Sequence, residues 1–169
     1  SDVLLGLFLY YENFDRETIL RNFRFYEPRT VHESSLSPFV HAILAAWIGD
    51  TEEAYRLFLH ATRLDLDDYN NEVHQGLHIT SMAGSLQVIV RGFAGMKILD
   101  GQLDFNPIIP QAWDSYTFKV NFRGCTLQMK VEKQAIKISL LEGCELNIRI
   151  SEVVYNLKKG KDLTVPRQK

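Results

Sequence analysis

The spacing of apolar residues changes once along this chain of 169 residues, and the change restricts it to helices followed by strands. Up to about residue 93, apolar residues recur three or four positions apart, which is the period of an amphipathic helix. From Gly95 onward they alternate with polar residues, as in antiparallel strands that bury one face. We therefore predict an α+β chain, with the boundary between its two parts near residue 98.

Local start and stop signals divide the first part into five helices. Asp15 and Asp50 are each suited to cap a helix, and Glu53 follows Asp50 at the spacing of a capping box. Gly49 supplies the left-handed residue that often ends a helix. The predicted helices cover residues 2–13, 15–26, 38–48, 50–64 and 80–93, with a polar, turn-rich loop at 65–75.

The second part has the alternation and the regular turns of a small antiparallel β-sandwich. Its alternating apolar residues are Phe118, Val120 and Phe122, then Leu127, Met129 and Val131, then Ile136, Ile138 and Leu140, then Leu146, Ile148 and Ile150. A carbohydrate-binding role for this part stays open. Trp113 and Tyr116 are nevertheless predicted to be core or domain-interface residues, because aromatic side chains bury large apolar surfaces.

Composition excludes several classes of protein. The net charge is −2 with acids and bases interspersed, which lacks the basic patch that nucleic-acid binding requires. Two cysteines, Cys125 and Cys144, are too few for a disulfide framework, so we predict that the protein is located in the reducing cytosol. The apolar segment at residues 3–10 is too short to span a bilayer and lacks the features of a signal peptide. A helix there would need cover on nearly all sides, as in part of a larger protein.

The stretch Tyr26 to Pro38, YEPRTVHESSLSP, places two adjacent hydroxyls before a predicted helix. Ser34 and Ser35 precede Ser37, a suitable N-cap, and Pro38, which favours the first helical position. Helix starts attract anions because their free N–H groups and the peptide dipole favour negative charge. The pattern is consistent with a site for phosphate oxygens, and equally with plain capping and turn formation.

Three longer motifs resemble one known family. They are YEPRTVHESSLSPFVHAILAAWIGD, AYRLFLHATRLDLDDYNNEVHQGLHITSMAGS and LDFNPIIPQAW. Together they are similar to the C-terminal part of the maltose phosphorylases, in glycoside hydrolase family 65, as far as about Gly124. The resemblance implies that residues 1–97 are the closing helices of an (α/α)6 catalytic barrel and that residues 98–169 form a C-terminal β-sandwich domain. It also implies a longer, cytoplasmic parent protein, commonly a homodimer.

The same resemblance implies a reaction and a site. Phosphate, the co-substrate, attacks the anomeric carbon of the non-reducing glucose of maltose with inversion, giving β-glucose 1-phosphate and glucose without a cofactor. Ser34 and Ser35 match the serine pair that holds phosphate, and His78 matches the histidine that contacts the same anion. Gly76 would let the backbone approach closely. The general acid of such a reaction is implied upstream of this chain, so we expect no catalytic residue here and no activity from the chain alone.

Other polar residues near these motifs have weaker interpretations. His32 and Glu33 are predicted to support the serine loop rather than to bind the ligand. His74 and His78 are four residues apart, but Gly76 lies between them and no third ligand is evident, so no metal site is predicted. Solvated loop carboxylates are the favoured interpretation of Asp65, Asp67 and Asp68, because the calcium-loop pattern is missing. His41 and His60 lie on predicted amphipathic helices and are assigned to packing or to the surface.

Two alternatives remain open within this framework. The parent could be a phosphorylase of trehalose, kojibiose or nigerose, or a related hydrolase in which Glu72 would serve as the base. The 169 residues could also act only as a folding or oligomerisation module without turnover.

Overall fold

The computed structural model describes residues 2–32, 34–69 and 71–167. It separates into two compact units, with the division between Phe93 and Ala94. The first unit is helical and the second is built from strands, so the predicted α+β class is confirmed. Among the described residues, no helix combines the length and the apolar character needed to cross a membrane.

Within the described residues, the first unit contains five α-helices: Asp2–Leu9 (α1), Arg16–Tyr26 (α2), Ser37–Ile48 (α3), Thr51–Asp67 (α4) and Ile79–Gln87 (α5). Short 3-10 helices cover Tyr11–Asn13, Glu27–Arg29 and Val73–Gln75, and a π-helix at Val88–Phe93 follows α5.

The predicted caps of α2 and α4 are present. A carboxylate oxygen of Asp15 accepts from the Thr18 N–H at 2.7 Å, and one of Asp50 accepts from the Glu53 N–H at 3.1 Å. Gly49 ends α3 in the left-handed conformation, with φ of 90°. The sequence predicts these helix ends correctly because each depends only on residues within one turn of the helix end.

Helix α3 does not begin as predicted. Ser37 is its first residue rather than its cap, and the preceding Leu36 makes no side-chain capping bond. The Ser37 hydroxyl instead donates to the Ser34 carbonyl oxygen at 3.3 Å and lies 3.0 Å from His32 Nδ1. Those contacts occupy the hydroxyl, so it is not available to cap the helix.

Three other boundaries also differ. Helix α1 ends at Leu9 rather than near residue 13, and a separate 3-10 helix covers Tyr11–Asn13. Helix α4 continues to Asp67, through the first part of the predicted loop, and Asp67 pairs there with Arg63, one helical turn back, at 2.6 Å. The last predicted helix changes to a π-helix at Val88, where the side chain of Trp47 donates to the Arg91 carbonyl oxygen at 2.6 Å. A side chain that donates a hydrogen bond to a backbone carbonyl oxygen in this way disturbs the regular hydrogen-bond pattern of the α-helix.

Helix α3 is the centre of the first unit, and most of its residues are buried. It forms an antiparallel hairpin with α4 through the two-residue turn Gly49 and Asp50. Helix α5 packs against it closely, since a Cβ atom built on Gly84 would lie 2.3 Å from the Phe39 ring.

Two glycine substitutions test this packing. Gly84→Ala is expected to lower the free energy of unfolding by about 1–2 kcal/mol, because overpacking outweighs the better helix propensity of alanine. Gly6→Ala in α1 is the matched control, since a Cβ atom there meets nothing within 4 Å. It should raise the free energy of unfolding by about 0.5–1 kcal/mol. Urea denaturation of both variants gives the comparison, and equal effects would contradict the tight α3–α5 contact.

The described residues of the second unit form two four-stranded sheets. The strands are Lys97–Leu99 (β1), Gln102–Phe105 (β2), Ser115–Phe122 (β3), Cys125–Glu132 (β4), Ala135–Glu142 (β5), Glu145–Ile150 (β6), Val153–Lys158 (β7) and Leu163–Pro166 (β8). Their orders are β1-β2-β6-β7 and β3-β4-β5-β8. Phe105 and Phe118, from different sheets, meet in the core with ring centroids 6.4 Å apart.

The prediction of an antiparallel sandwich needs one correction, because β2 and β6 pair in parallel. The chain leaves the first sheet after β2, builds β3, β4 and β5 of the second sheet, and then returns with β6. Such a long crossover permits parallel pairing, which a tight hairpin does not. Tyr116 is buried, as predicted, and its hydroxyl donates to the Ile108 carbonyl oxygen at 2.8 Å.

Candidate anion-binding site

The starts of α3 and α5 lie at the same end of the helical unit. Helix α5 runs antiparallel to α4, because Ser81 Oγ donates to the Ala61 carbonyl oxygen at 2.8 Å and the His78 N–H donates to Asp65 at 2.9 Å. Helix α3 is also antiparallel to α4, through its tight turn. The helices α3 and α5 are therefore parallel, and both begin beside the C-terminal end of α4.

The serine pair stands directly before α3. Ser34 is exposed and Ser35 is half-buried. The Leu36 N–H donates to Ser34 Oγ at 3.2 Å, and the Ser37 N–H donates to the Ser34 carbonyl oxygen at 3.3 Å. These bonds make a compact turn that holds the two hydroxyls at the start of the helix. Glu33, which was predicted to support this loop, lies outside the described residues.

His78 stands directly before α5 and is held by Asp65 of α4. Its Nδ1 lies 2.5 Å from one carboxylate oxygen of Asp65, and its backbone N–H donates to the other at 2.9 Å. The hydrogen bond to Asp65 raises the pKa of His78 above its ordinary value, and the same bond lowers the pKa of Asp65. His78 therefore keeps a positive charge to a higher pH than a free histidine, which favours an anionic ligand.

A second carboxylate faces the other side of the His78 ring. Glu72 Oε2 lies 3.6 Å from His78 Nε2. Asp68 fixes the segment that bears Glu72, because its Oδ1 accepts from the backbone N–H groups of Glu72 and Val73 at 2.8 and 3.1 Å. An anion that approached Nε2 would therefore have to displace the Glu72 side chain.

Two of the three aspartates differ from the predicted solvated loop carboxylates, because Asp65 and Asp67 belong to α4, whereas Asp68 is an exposed turn residue as predicted. Asp65 holds His78, and Asp67 accepts from Arg63 at 2.6 Å and from the Tyr69 hydroxyl at 2.6 Å. Sequence reasoning missed Asp65 because it placed the residue in a loop. The signal was the negative charge itself, since a carboxylate in the last turn opposes the helix dipole and calls for a cationic or N–H partner.

The remaining predicted residues are placed as follows. Gly76 has φ of 120°, which side chains rarely adopt, so glycine is required there by the backbone. His32 lies 3.0 Å from Ser37 and 3.4 Å from Glu27, within the serine loop, and its supporting role stays a prediction. His74 is exposed, and Nδ1 of His78 is bonded to Asp65; the absence of a metal site between these two histidines stays a prediction.

Two family models match the chain. Residues 1–87 match the model of the glycosyl hydrolase family 65 central catalytic domain, and residues 96–157 match that of the glycosyl hydrolase family 65 C-terminal domain. The maltose phosphorylase of Bacillus subtilis is 46% identical over 152 residues, which are 90% of this chain and 20% of that protein. The kojibiose phosphorylase of Halothermothrix orenii is 35% identical over 169 residues, which are 100% of this chain and 21% of that protein.

A solved structure is similar as well. It belongs to a protein from the human microbiome that is predicted to be a kojibiose phosphorylase, and it matches with a TM-score of 0.92 and 41% identity over 99% of this chain and 22% of that one. The chain thus spans about a fifth of the length of these relatives. Because the first model alone matches residues 1–87 of 169, the chain belongs to glycoside hydrolase family 65.

Proposed function

We propose that this chain provides the phosphate-binding end of an inverting disaccharide phosphorylase that acts on maltose. In this proposal residues 1–97 are the last helices of an (α/α)6 catalytic barrel, and residues 98–169 are the β-sandwich domain that follows it. Ser34, Ser35 and His78 bind the phosphate, with His32, Glu33 and Gly76 in support. The parent enzyme needs no cofactor or metal for this reaction, is cytoplasmic and forms a homodimer.

One observation gives the strongest support for the assignment of a phosphate site. The parallel arrangement of α3 and α5 brings the serine turn and His78 to one end of the unit, although 43 positions separate Ser35 from His78 along the chain. That end has two helix starts, a hydroxyl pair and a histidine whose pKa is raised by its bond to Asp65. Each of these features favours an anion with several oxygen atoms.

The chemistry needs this kind of site. A phosphate oxygen forms a bond to the anomeric carbon while the bond from that carbon to the departing glucose oxygen breaks, with inversion. In an inverting hydrolase a carboxylate base activates the attacking water. Because phosphate replaces that water here, the enzyme needs a site that binds an anion in place of the base. A general acid must give its proton to the departing oxygen. We assign that acid to the part of the parent outside these residues, so the chain alone has no turnover.

Maltose is the proposed disaccharide because the Bacillus subtilis relative, at 46% identity, is a maltose phosphorylase. Trehalose, kojibiose and nigerose are the alternatives, and the relatives include a trehalose phosphorylase and kojibiose phosphorylases. The pocket that separates these sugars belongs mostly to the rest of the parent in this proposal. The cytoplasmic location rests on the family and on Cys125 and Cys144, both of which are free thiols.

Phosphate binding to this chain tests the site directly. Ser35→Ala should weaken the binding of inorganic phosphate about fivefold, because one hydrogen bond to an anion at a half-buried site contributes about 1 kcal/mol. Isothermal titration calorimetry measures the affinity. Ser115→Ala, an exposed serine of β3, is the matched control and should bind like the unaltered chain. Equal binding by the Ser35 and Ser115 variants would count against the assignment.

Turnover tests the other half of the proposal. The chain should release no glucose 1-phosphate from maltose, trehalose or kojibiose, with or without phosphate. A chimera that carries this chain in place of the matching region of the Bacillus subtilis maltose phosphorylase should release it from maltose only when phosphate is present. Release by the chain alone would contradict the assignment of the general acid to the rest of the parent.

A further inference from the structure

Three potential metal ligands converge beside the serine loop, away from His78. They are Glu27 at the end of α2, His32 in the loop and His41 on α3, and their ligand atoms all lie within 4.8 Å of one another. His41 is fully buried, and the side chains of His32 and Glu27 are only 12% and 16% exposed. The cluster is therefore an enclosed set of two imidazoles and one carboxylate.

The hydrogen bonds of His32 indicate which atom faces the cluster. The Ser37 hydroxyl donates to the Ser34 carbonyl oxygen, so it accepts from the N–H of His32 Nδ1 at 3.0 Å. In a neutral imidazole this leaves a lone pair on Nε2. That atom lies 3.4 Å from Glu27 Oε1, which is also an acceptor. A ring nitrogen and a carboxylate oxygen at this distance can share one cation, either a proton on Nε2 or a metal ion bound by both atoms.

His41 provides the third potential metal ligand. Neither of its ring nitrogens has a hydrogen-bond partner among residues 2–32, 34–69 and 71–167. A buried polar side chain without a partner is costly, and such groups in native proteins usually have a ligand or an ordered water. Because His41 is fully buried and both ring nitrogens lack a described hydrogen-bond partner, the ring has a nitrogen available to coordinate a metal.

We propose that Glu27, His32 and His41 form a Zn²⁺ site that fastens the serine loop to α3. Two imidazoles and one carboxylate are a ligand set that zinc takes, with a fourth position left for water. Metal-binding histidines are usually oriented by a hydrogen bond from their other ring nitrogen, and in His32 the contact between Nδ1 and the Ser37 hydroxyl has this role.

Zinc requires the ligands to approach one another. Bonds of about 2.0 Å to a tetrahedral ion put neighbouring ligand atoms about 3.3 Å apart, and the present separations reach 4.8 Å. Glu27 belongs to a short 3-10 helix and His32 to a turn, so both can close on His41, which α3 holds in place. Glu27 also lines an open cleft of about 730 Å³, so the carboxylate member of the cluster faces open space.

Arg56 is the competing cation. Its Nη2 lies 3.5 Å from Glu27 Oε1, and it also pairs with Glu53 at 2.5 Å. The Arg56 side chain is 56% exposed, so it can turn towards Glu53 and leave Glu27 to the metal. His32 is shared with the proposed phosphate site, where it supports the serine loop, but zinc binding does not require phosphate binding by Ser34, Ser35 and His78.

The test is a titration of the chain with Zn²⁺ in competition with a chelating indicator. The background is Cys144→Ser, which removes the exposed thiol. We expect one ion per chain, with a rise in melting temperature. The affinity should fall at least 100-fold in Glu27→Gln and in His32→Gln, because loss of a ligand exceeds the effect of about 10- to 100-fold seen for outer contacts. His74→Gln, an exposed histidine outside the cluster, is the matched control and should bind normally.

Co²⁺ gives a second measurement that needs no substitution. A tetrahedral site with nitrogen and oxygen ligands should give intense visible absorption bands, and added Zn²⁺ should remove them. Circular dichroism without metal establishes that each variant is folded. The proposal is overturned if the chain binds no zinc, if Glu27→Gln and His32→Gln bind as tightly as His74→Gln, or if Co²⁺ shows only the weak bands of an octahedral ion.

Discussion

Asp65→Asn is expected to weaken phosphate binding about 100-fold, although Asp65 itself does not touch the ligand. The Asp65 carboxylate accepts from the backbone N–H of His78 at 2.9 Å, and its other oxygen lies 2.5 Å from His78 Nδ1. In metal sites, an outer partner of this kind fixes the orientation and the tautomer of a histidine ligand, and its loss costs about 10- to 100-fold in affinity or activity. The upper end applies here because the substitution also removes the charge that favours the imidazolium form of His78.

The pH dependence separates a positioning role from a merely structural one. Asp65 raises the pKa of His78, so in the unaltered chain phosphate binding should persist to higher pH and fall as the pH rises through that raised value. In Asp65→Asn the pKa of His78 drops, and binding should be lost at a lower pH. The stability that the pair contributes follows the same sign, since it is present below the unfolded pKa of histidine and lost above the folded one.

Calorimetry of phosphate binding between pH 5 and 9 checks this prediction, and nitrogen-detected NMR of the His78 ring reports its tautomer and its pKa. Asp67→Asn is the matched control, because Asp67 lies in the same last turn of α4 but pairs with Arg63 and Tyr69. It should leave the pH profile unchanged. A profile that moves equally in both variants would show that the charge of the helix end matters and that the contact with His78 does not.

The sequence predicted what depends on neighbours along the chain. The caps at Asp15 and Asp50, the left-handed Gly49 and the change from helical to strand spacing each follow from residues within a few positions of one another. The pair formed by Asp65 and His78 did not follow, because it requires that α4 continue past the predicted start of the loop and that α5 return antiparallel beside it.

The same limit explains two other differences. The parallel pairing of β2 with β6 depends on the chain leaving one sheet and returning to it, which alternation alone does not encode. The cluster of Glu27, His32 and His41 depends on the loop folding over the first turns of α3. By spacing alone His41 is an ordinary helical residue, and what distinguishes it is complete burial without a described hydrogen-bond partner.

Glu72→Gln is expected to strengthen phosphate binding about tenfold. The Glu72 carboxylate lies 3.6 Å from His78 Nε2, where the proposed phosphate must bind, and two negative groups a few ångströms apart repel by about 1 kcal/mol or more near a protein surface. Glutamine has nearly the same shape without the charge. Glu72 also helps to raise the pKa of His78, so the gain should be full near pH 6 and smaller as the pH rises.

The same substitution decides between a phosphorylase and the hydrolase alternative. In a hydrolase, Glu72 would be the base that activates water, and its loss would lower hydrolysis by about 100-fold or more without tightening phosphate. The measurements are phosphate affinity by calorimetry and, in the Bacillus subtilis chimera, glucose 1-phosphate and free glucose released from maltose. Glu52→Gln, an exposed acid at the opposite end of α4, is the control for the change in net charge. Tighter phosphate with phosphorolysis retained supports the anion site, whereas unchanged phosphate affinity with loss of hydrolysis would assign Glu72 the role of base.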